Sequence, residues 1–175
     1  QPEAGFGAIA EDGSVYLHPR AAQAMPEHVI DEVLRVQRRE VARRVAALRN
    51  GQPLPRIAGR TVLLVDDGIA MGSTMHAALQ LCINANAARR IVAVPVAGER
   101  VARQIEARVD RLVVLEIPQP FRAVAQIYRH WHDVSDGEVL ETLSEWRAAF
   151  PRPPDGALGS TGRDRTGEDS ESRAI

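Results

Sequence analysis

The sequence predicts an α/β fold with a mainly parallel sheet flanked by helices, plus a small β-hairpin. Three observations carry that expectation. Between Thr61 and Ile117, apolar stretches alternate with helical ones in the order strand, helix, strand, helix, strand, which makes two consecutive βαβ units. The strands are continuously apolar rather than alternating, as parallel strands covered by helices on both faces are. The chain is 45% hydrophobic but only 4% aromatic. Its core is therefore built from Val, Leu, Ile and Ala, a palette that favours α/β over an all-β sandwich.

Taken in order, Gly7 to Leu17 reads as two short strands around Asp12-Gly13, a dipeptide suited to the positive φ angles of a hairpin turn. From Glu27 to Arg49, Val29, Val33, Val36, Val41, Val45 and Leu48 recur at helical spacing, and Asn50-Gly51 ends the run. The arginines of this helix could form a stripe for a polyanion. However, Asp31 and Glu40 lie four residues before Arg35 and Arg44, and a solvated, paired face is the better reading.

Thr61 to Val65 is then a strand, Thr74 to Ala88 a helix, Ile91 to Val96 a strand, Glu99 to Arg108 a helix and Leu112 to Ile117 a strand. Pro118 and Pro120 stop the last strand, and Phe121, Val124, Ile127, Tyr128 and Trp131 are spaced as a short helix. Ser135 and Glu138 have capping-box spacing ahead of a final helix whose buried face carries Val139, Leu143, Trp146 and Phe150. One domain is expected over residues 1–150. Residues 151–175 are rich in Pro, Gly, Ser, Thr and charge, a composition expected of a disordered tail.

Composition excludes several classes of function. With a net charge of −1 and a pI near 6.6 there is no global field to attract nucleic acid or an anionic membrane, so any anion must be gripped locally. No apolar run approaches the roughly 20 residues of a membrane helix, and the opening residues do not read as a basic, apolar, small-residue leader, so neither a membrane span nor secretion is expected. The single cysteine, Cys82, rules out a disulfide framework and a multi-cysteine zinc site; it is expected to be a buried hydrophobe in a reducing cytoplasm. The chain has no lysine, which excludes Schiff-base chemistry and the Walker phosphate loop. It also does not begin with methionine, from which upstream sequence is expected.

The chemistry is concentrated from Val62 to Thr74: an apolar strand, the pair Asp66-Asp67, then the small-residue loop Gly68-Ile69-Ala70-Met71-Gly72-Ser73-Thr74 opening a helix. Ligands of open α/β sheets bind where such strands end. Gly72, Ser73 and Thr74 offer unpaired amides at a helix N-terminus, where the helix dipole favours an anion, and the two hydroxyls add donors. Two carboxylates beside a phosphate site would repel a simple phosphate. A ligand with hydroxyls on one side and phosphate on the other removes the conflict, since carboxylates accept from vicinal hydroxyls and help to place magnesium. A ribose 5-phosphate bearing a magnesium diphosphate fits.

This apolar run, acid pair and small, hydroxylated loop resembles the signature of the type I phosphoribosyltransferases. The resemblance implies that Asp66 and Asp67 are the catalytic carboxylates, holding the ribose hydroxyls of phosphoribosyl diphosphate and Mg2+ directly or through water. It implies that Ala70 to Thr74 wrap the 5-phosphate, with Gly68 and Ile69 completing the substrate loop. The implied reaction is attack on the anomeric carbon by an unidentified acceptor, a nucleobase being the leading one, with departure of pyrophosphate. More loosely, Gln1-Pro2-Glu3 through the hairpin, the Arg-rich helix and the Pro118 to Trp146 region look like a bacterial subgroup of phosphoribosyltransferase-like proteins. Two departures stand out. Met71 occupies a position where the family usually has Thr, and the strand and glycine-bearing pyrophosphate loop that normally open such a domain are not found ahead of Gln1. A non-catalytic protein of the same fold, binding phosphoribosyl diphosphate or a nucleotide as a regulatory signal, is the alternative. A homodimer is a further expected partnership.

Competing readings are weaker. A receiver-type phosphorylation pocket needs a lysine. Gly5 to Ala10 matches a dinucleotide fingerprint but precedes a hairpin. His130 and His132 lack a third metal ligand and are read as surface residues. His76 is either exposed or close to the ligand. Phe121, Tyr128 and Trp131 are either core or, in part, a base-stacking wall.

Overall fold

The structure, a computed structural model, describes residues 6–151. The described residues fall into two compact units, which divide between Asp136 and Gly137. The tail from 152 onward and residues 1–5 lie outside the described residues.

The first unit opens with the expected hairpin, β1 (Gly7–Ile9) antiparallel to β2 (Val15–Leu17), its turn made by Gly13 at φ 88°. A six-residue helix α1 (Pro19–Ala24) follows. It was not foreseen, because it buries nothing and has no periodic pattern to read. Helix α2 (Glu27–Arg49) has the expected bounds, ended by Asn50 in the left-handed conformation at φ 52°. Its face is paired as expected, through Glu40 to both Arg43 (2.8 Å) and Arg44 (3.2 Å) and through Arg49 to Glu11. Arg35, however, pairs with Glu32 rather than Asp31.

The sheet consists of β3 (Thr61–Val65), β4 (Arg89–Val96) and β5 (Arg111–Glu116), all parallel in the order β3-β4-β5. Helix α3 (Ser73–Asn84) joins β3 to β4, and α4 (Glu99–Glu106) joins β4 to β5. Ile69, Leu79, Val92, Val94, Val101 and Ile105 form the centre of one buried core between the sheet and these two helices. Helices were expected on both sheet faces. Instead Leu63, Val65 and Leu115 are 59%, 69% and 76% exposed on the far side. The reason is handedness: two right-handed crossovers that advance in the same direction place both helices on one face.

Helix α3 stops at Asn84, short of the expected Ala88. Asn86 turns left-handed at φ 56°, and Ala87 bridges back to Ala58. The short helix expected from Phe121 is only a single 3-10 turn, Val124–Gln126. Here the Gln126 side chain accepts from the amides of Arg122 (3.0 Å) and Ala123 (3.2 Å) and donates to the Pro120 carbonyl (3.1 Å), taking the place of a backbone ladder. The last helix, α5 (Asp136–Ala149), lies where the capping signal predicts, but none of its residues is buried. Trp146 and Phe150 pack on each other with ring centroids 5.8 Å apart.

Candidate functional site

Every residue from Asp66 to Thr74 lines one cleft of about 430 Å³ at the carboxyl end of β3, as the sequence motif requires. The loop is hung from the neighbouring strand. The Ile69 amide donates to the Val96 carbonyl (2.9 Å), and the Gly98 amide donates to the Ile69 carbonyl (3.1 Å). Ile69 is buried at the top of the core.

Two glycines let the loop lie this close to the sheet. A side chain at Gly68 would start 2.7 Å from Val96 Cγ1 and 2.8 Å from both Val124 methyls. Gly72 is the cap of α3, with φ 81°, and a Cβ there would lie 2.4 Å from Val101 Cγ2. Only glycine combines that left-handed backbone with that contact.

Beyond Gly72 the amides of Ser73, Thr74 and Met75 belong to the first turn of α3, where no intrahelical carbonyl is available; the first such bond runs from His76 to Gly72 O (2.8 Å). Ser73 is 8% exposed, and its Oγ is buried with no hydrogen-bond partner. A buried hydroxyl without a partner costs free energy, and an oxyanion seated in the turn would relieve that cost. Thr74 and Met71 are exposed at the rim.

The carboxylates occupy the other end of the cleft. The Asp67 amide donates to Asp66 Oδ1 at 3.0 Å. Although its surface is open, the crowding of protein atoms around Asp66 desolvates its carboxyl and raises its pKa; the Asp67 charge acts in the same direction, while the Asp67 amide opposes them. An acid pair held in this way accepts hydroxyl donors or a hard cation readily. Among the described residues no group of three or more His, Cys, Asp or Glu could enclose a metal ion. Two adjacent carboxylates would suit an ion that takes one or two protein oxygens and completes its shell with other oxygen ligands.

Some parts of the site were not foreseen. Gly7 of the hairpin, Met75 and Val124 also line the cleft, and so does Trp131, which the sequence left open between core and site. Tyr128 and Trp131, whose spacing suggested core, are 36% and 42% exposed and meet with ring centroids 5.3 Å apart. Their neighbours Arg129, His130 and His132 were the available signal, because such polar residues do not fit a buried helix. His130 and His132 are exposed as expected. His76 is neither exposed nor in the cleft, but 4% exposed beneath it. Cys82 is buried, and burial raises its thiol pKa.

The family model described as the phosphoribosyl transferase domain matches residues 10–127, which contain the parallel sheet and the loop from Asp66 to Thr74. The chain belongs to the phosphoribosyl transferase domain family. Two Mycobacterium tuberculosis proteins (strains CDC 1551 / Oshkosh and ATCC 25618 / H37Rv), each bearing the name "Putative phosphoribosyl transferase", are 36% identical to this phosphoribosyl transferase domain over 152 residues. That alignment takes in 86% of the chain but only 34% of each relative, so the chain spans about a third of their length. The crystal structure of TT1426 from Thermus thermophilus superposes with a TM-score of 0.65 at 35% identity, over 83% of this chain and 70% of that one. No helix among the described residues is long and apolar enough to cross a membrane.

Proposed function

We propose that this phosphoribosyl transferase domain transfers the ribose 5-phosphate group of phosphoribosyl diphosphate to a small-molecule acceptor, a nucleobase in the leading case, with release of pyrophosphate. The observation that carries this reading is the division of one cleft into two chemistries. At one end lie free helix amides and the unpartnered Ser73 hydroxyl; at the other lies the Asp66-Asp67 pair.

The turn from Ala70 to Thr74 holds the 5-phosphate by backbone donation and the helix dipole. Asp66 and Asp67 accept from the ribose hydroxyls, and this fixes the sugar's rotation about the phosphate anchor. The same carboxylates would hold magnesium, which would supply charge neutralisation at the diphosphate. The bond between the anomeric carbon and the diphosphate oxygen breaks, its electron pair leaving with pyrophosphate, while a nucleophilic atom of the acceptor bonds to that carbon and gives up its proton. The residues contribute mainly by positioning, which is worth several kcal/mol when the reacting atoms are aligned. Trp131 offers a flat apolar wall for a planar acceptor.

Calorimetry with phosphoribosyl diphosphate and magnesium tests the site, and pyrophosphate release across a panel of nucleobases tests the reaction. Asp67→Asn should weaken binding by on the order of 10- to 100-fold, the cost of one charged hydrogen bond. Unchanged affinity in that variant removes the sugar-reading role. Tight binding without turnover on any acceptor favours a regulatory phosphoribosyl diphosphate-binding protein of the same fold.

A further inference from the structure

The buried His76 has no part in that reaction. It lies one turn inside α3, directly behind the phosphate cradle, and touches three elements. One face of its ring stacks on Tyr16 of β2, with centroids 4.4 Å apart and planes 24° from parallel. Its Nδ1 lies 2.8 Å from Arg108 Nη1, and Arg108 Nη2 donates to Gln80 Oε1 at 3.2 Å. Its Cδ2 edge sits under the phosphate turn, 3.6 Å from where a Cβ on Gly72 would be.

The arginine decides the protonation state. A guanidinium stays charged and has donors only, so the contact at Nδ1 is a hydrogen bond only if Nδ1 accepts. The proton is then on Nε2 and the ring is neutral.

We propose that neutral His76 is a positioning residue: it ties the hairpin, and with it the Gly7 wall of the cleft, to the phosphate-binding turn of α3, and protonation releases that tie. The proposal rests on reading the cleft as a phosphate site. Protonation would put a donor against a donor and a second cation beside Arg108 in a buried place. From β2 the ring faces Tyr16, and from the segment after α4 it faces Arg108, whose other nitrogen is bonded to Gln80 of α3. Burial first, and Arg108 second, hold the imidazole pKa below the ordinary histidine value, with no carboxylate acting in the opposite sense. The tie is therefore intact above the ordinary value and is lost as pH falls through the lowered one.

Substitutions at His76 leave the side chains of Asp66, Asp67, Ser73 and Thr74 in place in the sequence, so binding of ribose 5-phosphate reports on the tie. His76→Ala should weaken that binding by about 10-fold, a typical consequence of loosening the support behind a bound group. His76→Gln keeps an oxygen acceptor for Arg108 but cannot gain a proton. It should lose affinity at neutral pH as Tyr16→Leu does, because the ring that stacks on Tyr16 is gone, but suffer no further loss from this position toward about pH 5. Because the ligand phosphate itself titrates near pH 6, the quantity compared is the difference between the two pH profiles; parallel profiles overturn the proposal. If His76→Ala does not fold, Tyr16→Leu removes the stack alone and should reproduce the loss; wild-type affinity there also overturns it.

A second arm needs no ligand. In NMR titrations of the free chain, the Gly7 and Ser73 amide shifts should follow the His76 ring, and silence at both amides overturns the proposal. If ribose 5-phosphate binds no variant at any pH, the phosphate reading fails, and the amide shifts alone decide whether the tie exists.

Discussion

Tyr128 donates its hydroxyl to the backbone carbonyl of Asp67 at 2.6 Å, so the segment after β5 holds the acid pair at the end of β3. The two residues are 61 positions apart in the chain. Tyr128→Phe deletes the bond while keeping the ring that packs on Trp131. A net contribution of about 1 kcal/mol is expected for such a bond, hence roughly 5-fold weaker binding of ribose 5-phosphate. Thermal stability should change little, because the freed carbonyl lies where water can reach it. Calorimetry and a melting curve on the same variant separate the two effects.

Gly72→Ala meets two penalties. The left-handed φ of 81° costs an alanine about 1–2 kcal/mol, and the new Cβ must displace Val101 Cγ2 from 2.4 Å. Together these should lower the melting temperature by roughly 5–10 °C, with loss of ribose 5-phosphate binding. A variant that melts like wild type would show that α4 yields easily at Val101.

Asp66 should trade stability for function. Its folded pKa lies above the unfolded value, so between the two the folded state holds more protons, and stability declines as pH rises through that window above about pH 4. Asp66→Asn removes the strained charge. The ligand-free protein should then melt higher at neutral pH and lose the acid-side dependence, while binding phosphoribosyl diphosphate more weakly. A lower melting temperature in that variant would mean that the carboxylate contributes to the fold itself.

How much of this was legible in the sequence follows from what each element buries. Strand β3 and helix α2 could be read to the residue, the first from its apolar run and the second from the Asn50-Gly51 stop. The position of the Asp66 to Thr74 loop between β3 and α3 was equally plain, because strand, acid pair, glycine and hydroxyls are consecutive in sequence. What could not be read depends on contacts distant in sequence. Strand β4 begins at Arg89, since Arg90 is held by the Asp110 carboxylate, which accepts its amide at 2.8 Å. Trp131 reaches the cleft because Gln126 folds the backbone into one tight turn. The interior place of His76 depends on Tyr16 and Arg108, which no local pattern joins to it.

Met71 stands at the rim, 44% exposed, and its side chain offers a phosphate no donor. Met71→Thr should tighten binding of ribose 5-phosphate and leave plain ribose unaffected. The gain is worth up to roughly 1.5–3 kcal/mol if the hydroxyl reaches a charged oxygen. Equal titrations of wild type and variant would mean that residue 71 points away from the phosphate.

The suspension of the loop from β4 also sets how amide protons leave the site. The Ile69 amide is bonded to Val96 and buried, so its hydrogen should exchange with deuterated solvent only when the core opens, on the slow scale of the central strand. A few residues later, the amides of Ser73, Thr74 and Met75 lack acceptors in the helix and should exchange far faster. One short turn would thus run from the most protected hydrogens of the molecule to some of the least. A phosphorylated ligand should slow exchange at residues 73–75 alone, leaving Ile69 as an internal reference within the same peptide segment.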